Sequence, residues 1–172
     1  ICYARSGGTL FNKCVGSMDD IIMLSEVNPL GGGWGKRREK SFTTPAEQAN
    51  NWFNLNIKKG SYVDEISQIF EYCKANGKYL VIRDWSYINF NYSERVDQSS
   101  IPNQLLNYEM LKDLYPLKTF AYVRDSIDVM LSMGYSRSKS ESYFNYVDNL
   151  KEENISYFKY EDFCKKPVKT IK

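Results

Sequence analysis

Tyr3-Ala4-Arg5-Ser6-Gly7-Gly8-Thr9-Leu10 joins an apolar, β-prone run to a helical pattern, and the reading of this octapeptide decides the fold. Two adjacent glycines let the backbone turn tightly. The amides that follow then point at one spot at a helix N-terminus, a ready-made place for an anion, and Arg5 adds a permanent cation beside it. Taken alone, the segment is either such an anion loop or a plain strand-to-helix turn carrying an exposed Arg. It is not a Walker A loop, because the GK[ST] ending is missing and no Lys follows the glycines.

Working outward, short β-branched or aromatic runs at 1–4, 21–25, 79–84, 118–123 and 155–159 alternate with helical patterns at 9–16, 44–59, 61–75, 125–133 and 139–151. Pro45 suits a first helical position, and Ile66, Ile69, Phe70 and Cys73 share one helix face, with Gly77 just past its end. Alternation of this kind predicts an α/β fold with a central, mainly parallel five-stranded sheet flanked by helices. Ligands gather at the carboxyl ends of such strands, so the chemistry is expected there, under the irregular stretches 31–43 and 88–102. At 172 residues, 42% hydrophobic and 26% charged, the chain reads as a single domain, 1–172, with no internal repeat. It begins inside a strand and stops just after a helix start, so either end can be trimmed. No run approaches the roughly 20 apolar residues that span a bilayer, so no membrane segment is expected.

Composition narrows the chemistry. The chain has no histidine, which removes Ser-His-Asp and Cys-His catalysis and His-ligated zinc. The net charge of +2 is too small for a nucleic-acid binder. It is also local: Lys36, Arg37, Arg38 and Lys40 against Glu39 sum to +3, so the remaining residues sum to −1. This run is either a solvated loop or an attractor for an anionic acceptor. Cys2, Cys14, Cys73 and Cys164 lack the close pairing of metal sites or redox dithiols. They read as mostly buried thiols of a reducing compartment, with the cytoplasm the expected location.

A second constellation is Tyr122-Val123-Arg124-Asp125, with Ser132 eight residues after Arg124. Either Arg124 and Ser132 grip one phosphate, or Arg124 is a surface residue and Asp125 a helix N-cap. Eight helical residues span about 12 Å, so the helix angle decides between them.

Together the two constellations are informative. Arg5-Ser6-Gly7-Gly8-Thr9-Leu10 resembles the 5′-phosphosulfate loop of sulfotransferases, and Arg124 with Ser132 resembles that family's 3′-phosphate motif. Leu24-Ser25-Glu26 with Asn28 and Pro29, and Tyr160-Glu161-Asp162-Phe163 with Pro167, are similar to further segments of the family. The resemblance implies a P-loop-NTPase-like three-layer fold. It also implies transfer of a sulfuryl group from 3′-phosphoadenosine 5′-phosphosulfate (PAPS) to an acceptor hydroxyl or amine, with 3′,5′-ADP as product and no metal. The acceptor is expected to be a small molecule or carbohydrate. By match to the motifs, Arg5 neutralises the leaving oxygen, the amides of Ser6, Gly7, Gly8, Thr9 and Leu10 hold the 5′ group, and Arg124 and Ser132 hold the 3′-phosphate.

The sequence departs from the family in three ways. Gly8 stands where the first Thr of a pair is usual, removing one hydroxyl. The glycine-rich basic segment that closes over the 3′-phosphate is not visible before Lys172. The histidine base of the cytosolic branch is absent. Glu26, at the position matching the catalytic Glu of Golgi-type members, is therefore the expected base, and it can alternatively order the Asn28-Pro29 turn. Asp84, at the end of the third strand, is the reserve base, a partner of Arg83 or a turn cap. Trp34, Trp85, Tyr87, Phe90 and Tyr92 form either an aromatic acceptor pocket or core packing. The competing functions are a P-loop-like nucleotide kinase, which needs Mg²⁺ and the missing Lys, and a non-catalytic nucleotide- or anion-binding module.

Overall fold

The computed structural model describes residues 1–30, 44–90 and 102–166. The chain divides into two compact units, Thr9–Asp84 and the combination of Ile1–Gly8 with Trp85–Lys172. Helix α1 (Gly8–Val15) opens at the border.

In the Thr9–Asp84 unit, strand β1 (Ile21–Val27) and, after the helices α2 (Pro45–Phe53) and α3 (Tyr62–Ala75), strand β2 (Tyr79–Asp84) pair in parallel. The register runs from Ile21 opposite Tyr79 to Ser25 opposite Arg83, then resumes at Val27 opposite Asp84, leaving Glu26 as an extra residue in a β-bulge. Both helices start where the sequence says. Thr44 forms a capping box with Glu47 ahead of Pro45, and Ser61 forms one with Asp64. Each box satisfies two backbone donors that the first turn leaves open. Ile66, Ile69 and Cys73 are buried on the α3 face as expected. The buried Glu65 carboxylate accepts from Ala46 N at 2.9 Å and Gly60 N at 3.2 Å, tying α3 to the start of α2.

Helix α2 stops at Phe53 rather than at 59. Asn54 adopts a left-handed conformation, φ 52°, and Asn50 holds Ile57 in both directions, donating to its carbonyl at 2.9 Å and accepting from its amide at 2.8 Å. An amide side chain that serves a neighbouring backbone so well competes with helical continuation.

The other unit contains α4 (Tyr87–Phe90), α5 (Leu106–Leu111), β3 (Ala121–Val123), α6 (Ser126–Met133), α7 (Arg137–Glu152), β4 (Tyr157–Lys159) and α8 (Tyr160–Lys165). Strand β3 pairs in parallel with β4. Cys2 makes isolated parallel bridges to Trp85 and Tyr122. The core is aromatic: Tyr3 packs at 5.2–5.3 Å from Tyr87, Tyr143 and Tyr146, with Phe90, Leu105, Val129 and Leu150 completing it. Buried phenols need partners. Tyr3 Oη shares a hydrogen bond with Ser142 Oγ at 2.7 Å, and Tyr146 donates to the Tyr122 carbonyl at 3.0 Å.

The chain is thus α/β with parallel pairing, but the described ladders are two two-stranded sheets rather than one sheet of five. The run at 1–4 contributes only the Cys2 bridges. It lies beside β3 through Ile1, whose amino group donates to Phe120 O at 2.9 Å and whose carbonyl accepts from Tyr122 N at 3.1 Å, and then turns away at Tyr3. The runs at 118–123 and 155–159 shorten to three paired residues each. Among the described residues, no helix is long and apolar enough to cross a membrane. Cys2 and Cys73 are buried, Cys14 is half-buried and Cys164 is exposed.

Candidate functional site

The loop between Tyr3 and α1 is closed by Ser6, which is fully buried and directs both its amide, at 3.3 Å, and its hydroxyl, at 2.5 Å, to the Tyr3 carbonyl. That clamp throws Arg5 into a left-handed conformation, φ 64°, with its side chain exposed, and Gly7 into φ 89°. Gly8 is buried and opens α1, and Thr9 and Leu10 follow it exposed in the first turn. Amides of a first turn have no acceptor within their own helix, so this end of α1 suits an anion. Gly7 is required for a second reason. A Cβ there would sit 2.1 Å from ring carbons of Tyr160, so only glycine lets that ring lie against the loop.

Arg124 follows β3 and is tied to the same loop. Its Nη1 donates to the Arg5 carbonyl at 3.3 Å, its Nη2 pairs with Asp128 at 3.3 Å, and its guanidinium lies 5.2 Å from the Tyr160 ring centroid. Its backbone is pinned by Tyr143, whose hydroxyl accepts from Arg124 N at 3.2 Å and donates to Arg124 O. Burial pushes the Tyr143 phenol up, which keeps it a donor across the neutral range. Asp125 caps α6 by accepting from Ile127 N at 2.9 Å, and its own amide donates to Glu161 at 3.1 Å. The N-cap reading of Asp125 and the approach of Arg124 to the loop therefore hold together. Ser132 is exposed in the last turn of α6, six residues or about 9 Å along the axis from Ser126.

A 3′-phosphate needs donors that can be released to it. Arg124 Nη1 holds a long contact to a neutral carbonyl, its Nη2 is ion-paired with Asp128, and among the described residues its buried Nε has no hydrogen-bond acceptor. A charge-assisted bond to a phosphate is stronger than the carbonyl contact, so Nη1 and Nε suit an anionic group, while Asp128 competes for Nη2.

Glu26 and Asp84 belong to the other unit, at the ends of β1 and β2. The bulge places Glu26 at φ 56° and re-aims its carboxylate, which accepts from Arg83 Nη2 at 2.7 Å. Arg83 Nη1 also donates to Ser25 Oγ at 3.3 Å. Gln48, from α2, brackets the bulge by accepting from Ser25 N at 2.8 Å and donating to Ser25 O at 2.7 Å. Asp84 is 2% exposed and accepts from Asn28 Nδ2 at 3.4 Å, while Asn28 Oδ1 accepts from Leu30 N at 3.0 Å. Asn28, rather than Glu26, therefore orders the Asn28-Pro29 turn. Burial, with the Asp84 charge beside it, pushes the Tyr62 phenol up.

Among the described residues, five that are not glycine have positive φ: Arg5, Glu26, Asn54, Asn103 and Asn154. Asparagine tolerates this conformation, whereas Arg and Glu occupy it at a cost of roughly 1–2 kcal/mol. Backbone strain that surrounding structure over-determines clusters at functional sites.

Of the proposed aromatic pocket, Phe90 is wholly buried core and Tyr87 packs on Tyr3, so core packing accounts for both. Trp85 is half-buried with its ring 6.3 Å from Tyr87. Trp34, Tyr92, Pro167 and the basic run Lys36, Arg37, Arg38 and Lys40 with Glu39 lie outside the described residues. Sequence reasoning missed Arg83 as the partner of Glu26, and Tyr143 as the residue that pins Arg124. The first depends on strand register and the second on helix packing, and neither has a local signature. No protein-family model and no curated protein matches the chain.

Proposed function

We propose that this chain is a PAPS-dependent sulfotransferase of P-loop-like architecture acting on a small-molecule or carbohydrate acceptor. The observation that carries the reading is the coincidence of strain and chemistry. Arg5 and Glu26, the cation and the base expected from the motifs, are the two described residues outside Asn and Gly with positive φ. Support also comes from Arg124, held to the Arg5 carbonyl with an unsatisfied Nε, and from the parallel bridges of Cys2, which set the loop-bearing segment beside Tyr122.

In the proposed reaction the acceptor oxygen or nitrogen bonds to sulfur as the bond from sulfur to the 5′-phosphate oxygen breaks. The acceptor proton passes to Glu26, and the electron pair leaves with 3′,5′-ADP. Arg5 and the amides from Gly7 to Leu10 stabilise the charge on the departing phosphate, donors fixed before the charge appears, whereas the Ser6 amide, expected to join them, is taken by the Tyr3 carbonyl. Arg83 orients the Glu26 carboxylate. Asp84, buried against Asn28, serves the turn. The basic run 36–40 suits an anionic acceptor, and the buried thiols of Cys2 and Cys73 suit a reducing compartment such as the cytoplasm.

The test is product formation from radiolabelled PAPS with phenol, sugar and amine acceptors, without added magnesium. Wild-type protein is expected to yield sulfated product, and Glu26→Gln to lose about 10²–10⁴ in rate, the usual worth of a general base. Full activity in Glu26→Gln would remove Glu26 as the base, and absence of any product with every acceptor class would count against transfer itself.

A further inference from the structure

Helix α7 reaches both segments of the candidate site through two consecutive residues. Ser142, fully buried, shares a hydrogen bond with the Tyr3 hydroxyl at 2.7 Å, and the carbonyl of that same Tyr3 closes the Arg5–Leu10 loop through Ser6. Tyr143, 3% exposed, reaches the second segment. Arg124 lies past Val123, the last paired residue of β3, and ahead of the Asp125 cap of α6, so its own amide and carbonyl fall between strand ladder and helix. The Tyr143 hydroxyl takes both: it accepts from Arg124 N at 3.2 Å and donates to Arg124 O. A phenol can do so because its one oxygen is donor and acceptor at once.

We infer that Tyr143 is a positioning residue that gives the site its preference for a nucleotide carrying a 3′-phosphate, by fixing the backbone on both sides of the Arg124 Cα. This rests on the reading of Arg124 as the residue that meets that phosphate. The amide and the carbonyl of one residue belong to two different peptide planes, each rigid, so holding both sets the direction in which the side chain leaves the backbone. The hydroxyl is itself held, because its ring packs edge-on against Tyr3 at 5.2 Å. Launched in that direction, the guanidinium reaches the Arg5 carbonyl at 3.3 Å through Nη1 and keeps Nε without an acceptor among the described residues. The Asp128 pair is a poor substitute for this hold, since its carboxylate is half-exposed and an ion pair of that kind is worth little. Phenylalanine at 143 fills the same space and loses both bonds.

The test measures binding of 3′,5′-ADP and of 5′-AMP, which lacks only the 3′-phosphate, by calorimetry in wild type, Tyr143→Phe and Tyr146→Phe, with thermal midpoints alongside. Tyr146→Phe is the control: it removes a buried hydroxyl bonded to the Tyr122 carbonyl of the same strand, without touching Arg124. Wild type is expected to prefer 3′,5′-ADP. Tyr143→Phe is expected to bind 3′,5′-ADP about tenfold more weakly, the scale of one hydrogen bond, with 5′-AMP unchanged. Tyr146→Phe should keep the wild-type preference at a lower midpoint. An undiminished preference in Tyr143→Phe, or an equal loss for both ligands, overturns the positioning role while leaving the nucleotide site standing. Equal binding of the two ligands by wild type, or binding of neither, overturns the reading of Arg124 and this role with it. Amide hydrogen exchange in the unmutated protein covers the case in which Tyr143→Phe fails to fold. The Arg124 amide is expected to be protected, and exchange there at the rate of an exposed loop contradicts the inference.

Discussion

Replacing Arg5 by glycine should make the protein more stable than replacing it by alanine, although both variants lose the guanidinium. Arg5 sits at φ 64° with its side chain exposed, and what the structure uses for stability is its carbonyl, the acceptor for Arg124, which every substitution keeps. A left-handed conformation costs a residue with a Cβ roughly 1–2 kcal/mol. Glycine removes that term but adds about 0.5–1 kcal/mol of conformational freedom to the unfolded chain. The difference favours Arg5→Gly over Arg5→Ala by about 0.5–1 kcal/mol, or about 2 °C in thermal midpoint for a chain of this size. Calorimetric unfolding of both variants measures it. Asn54→Gly supplies a control, since asparagine already suits the left-handed region and its midpoint should barely move. Both Arg5 variants should fail in transfer from PAPS. A residue that is strained, dispensable for folding and needed for turnover is held there for function. Equal stability of Arg5→Gly and Arg5→Ala would show that the backbone at Arg5 stores no strain, and the reasoning from conformation to function would fail with it.

Two further outcomes test the frame around the site. Ser61→Ala opens the capping box of α3 and should lower stability by about 1 kcal/mol in urea unfolding, without affecting 3′,5′-ADP binding. Glu47 hydrogen-bonds Lys59 at 2.7 Å, which holds its carboxyl below the ordinary carboxylate range. A carboxylate with a depressed folded-state pKa adds stability that is present above its unfolded pKa and fades as the pH falls through the folded value. Glu47→Gln should therefore lower stability slightly at neutral pH, converge with wild type as the pH falls through the folded pKa, and so flatten the acid limb of the stability-against-pH curve. The pair is exposed, so the effect should shrink further in high salt.

How far the sequence reached depended on whether a feature is local. The Arg5–Leu10 turn, the α1 start, Pro45 behind Thr44, the buried face of α3 and the Asp125 cap were all legible, because each rests on residues within a turn or two of one another. The strands were overread. Apolar runs at 118–123 and 155–159 look like five or six extended residues, but only three of each are paired, and pairing depends on a partner distant in sequence. Short helices escaped for a similar reason: α4, α5 and α8 span four to six residues, too few for a periodic signal. The site divides along the same line. Glu26 was visible as a carboxylate at a strand end, but its bulge, its positive φ and its pair with Arg83 follow from the β1–β2 register, set across more than 50 residues of chain. Tyr160 was visible as part of a motif. Its contact with Gly7 and Arg124 was not.

The central claim is that the loop from Arg5 to Leu10 and Arg124 together bind a nucleotide carrying both a 5′ and a 3′ anionic group. Titration calorimetry with 3′,5′-ADP, in wild type and in Arg124→Ala, addresses it most directly. The account predicts micromolar binding by wild type that is lost in Arg124→Ala while the thermal midpoint stays within a few degrees. No heat of binding in wild type, or equal affinity in Arg124→Ala, would contradict it.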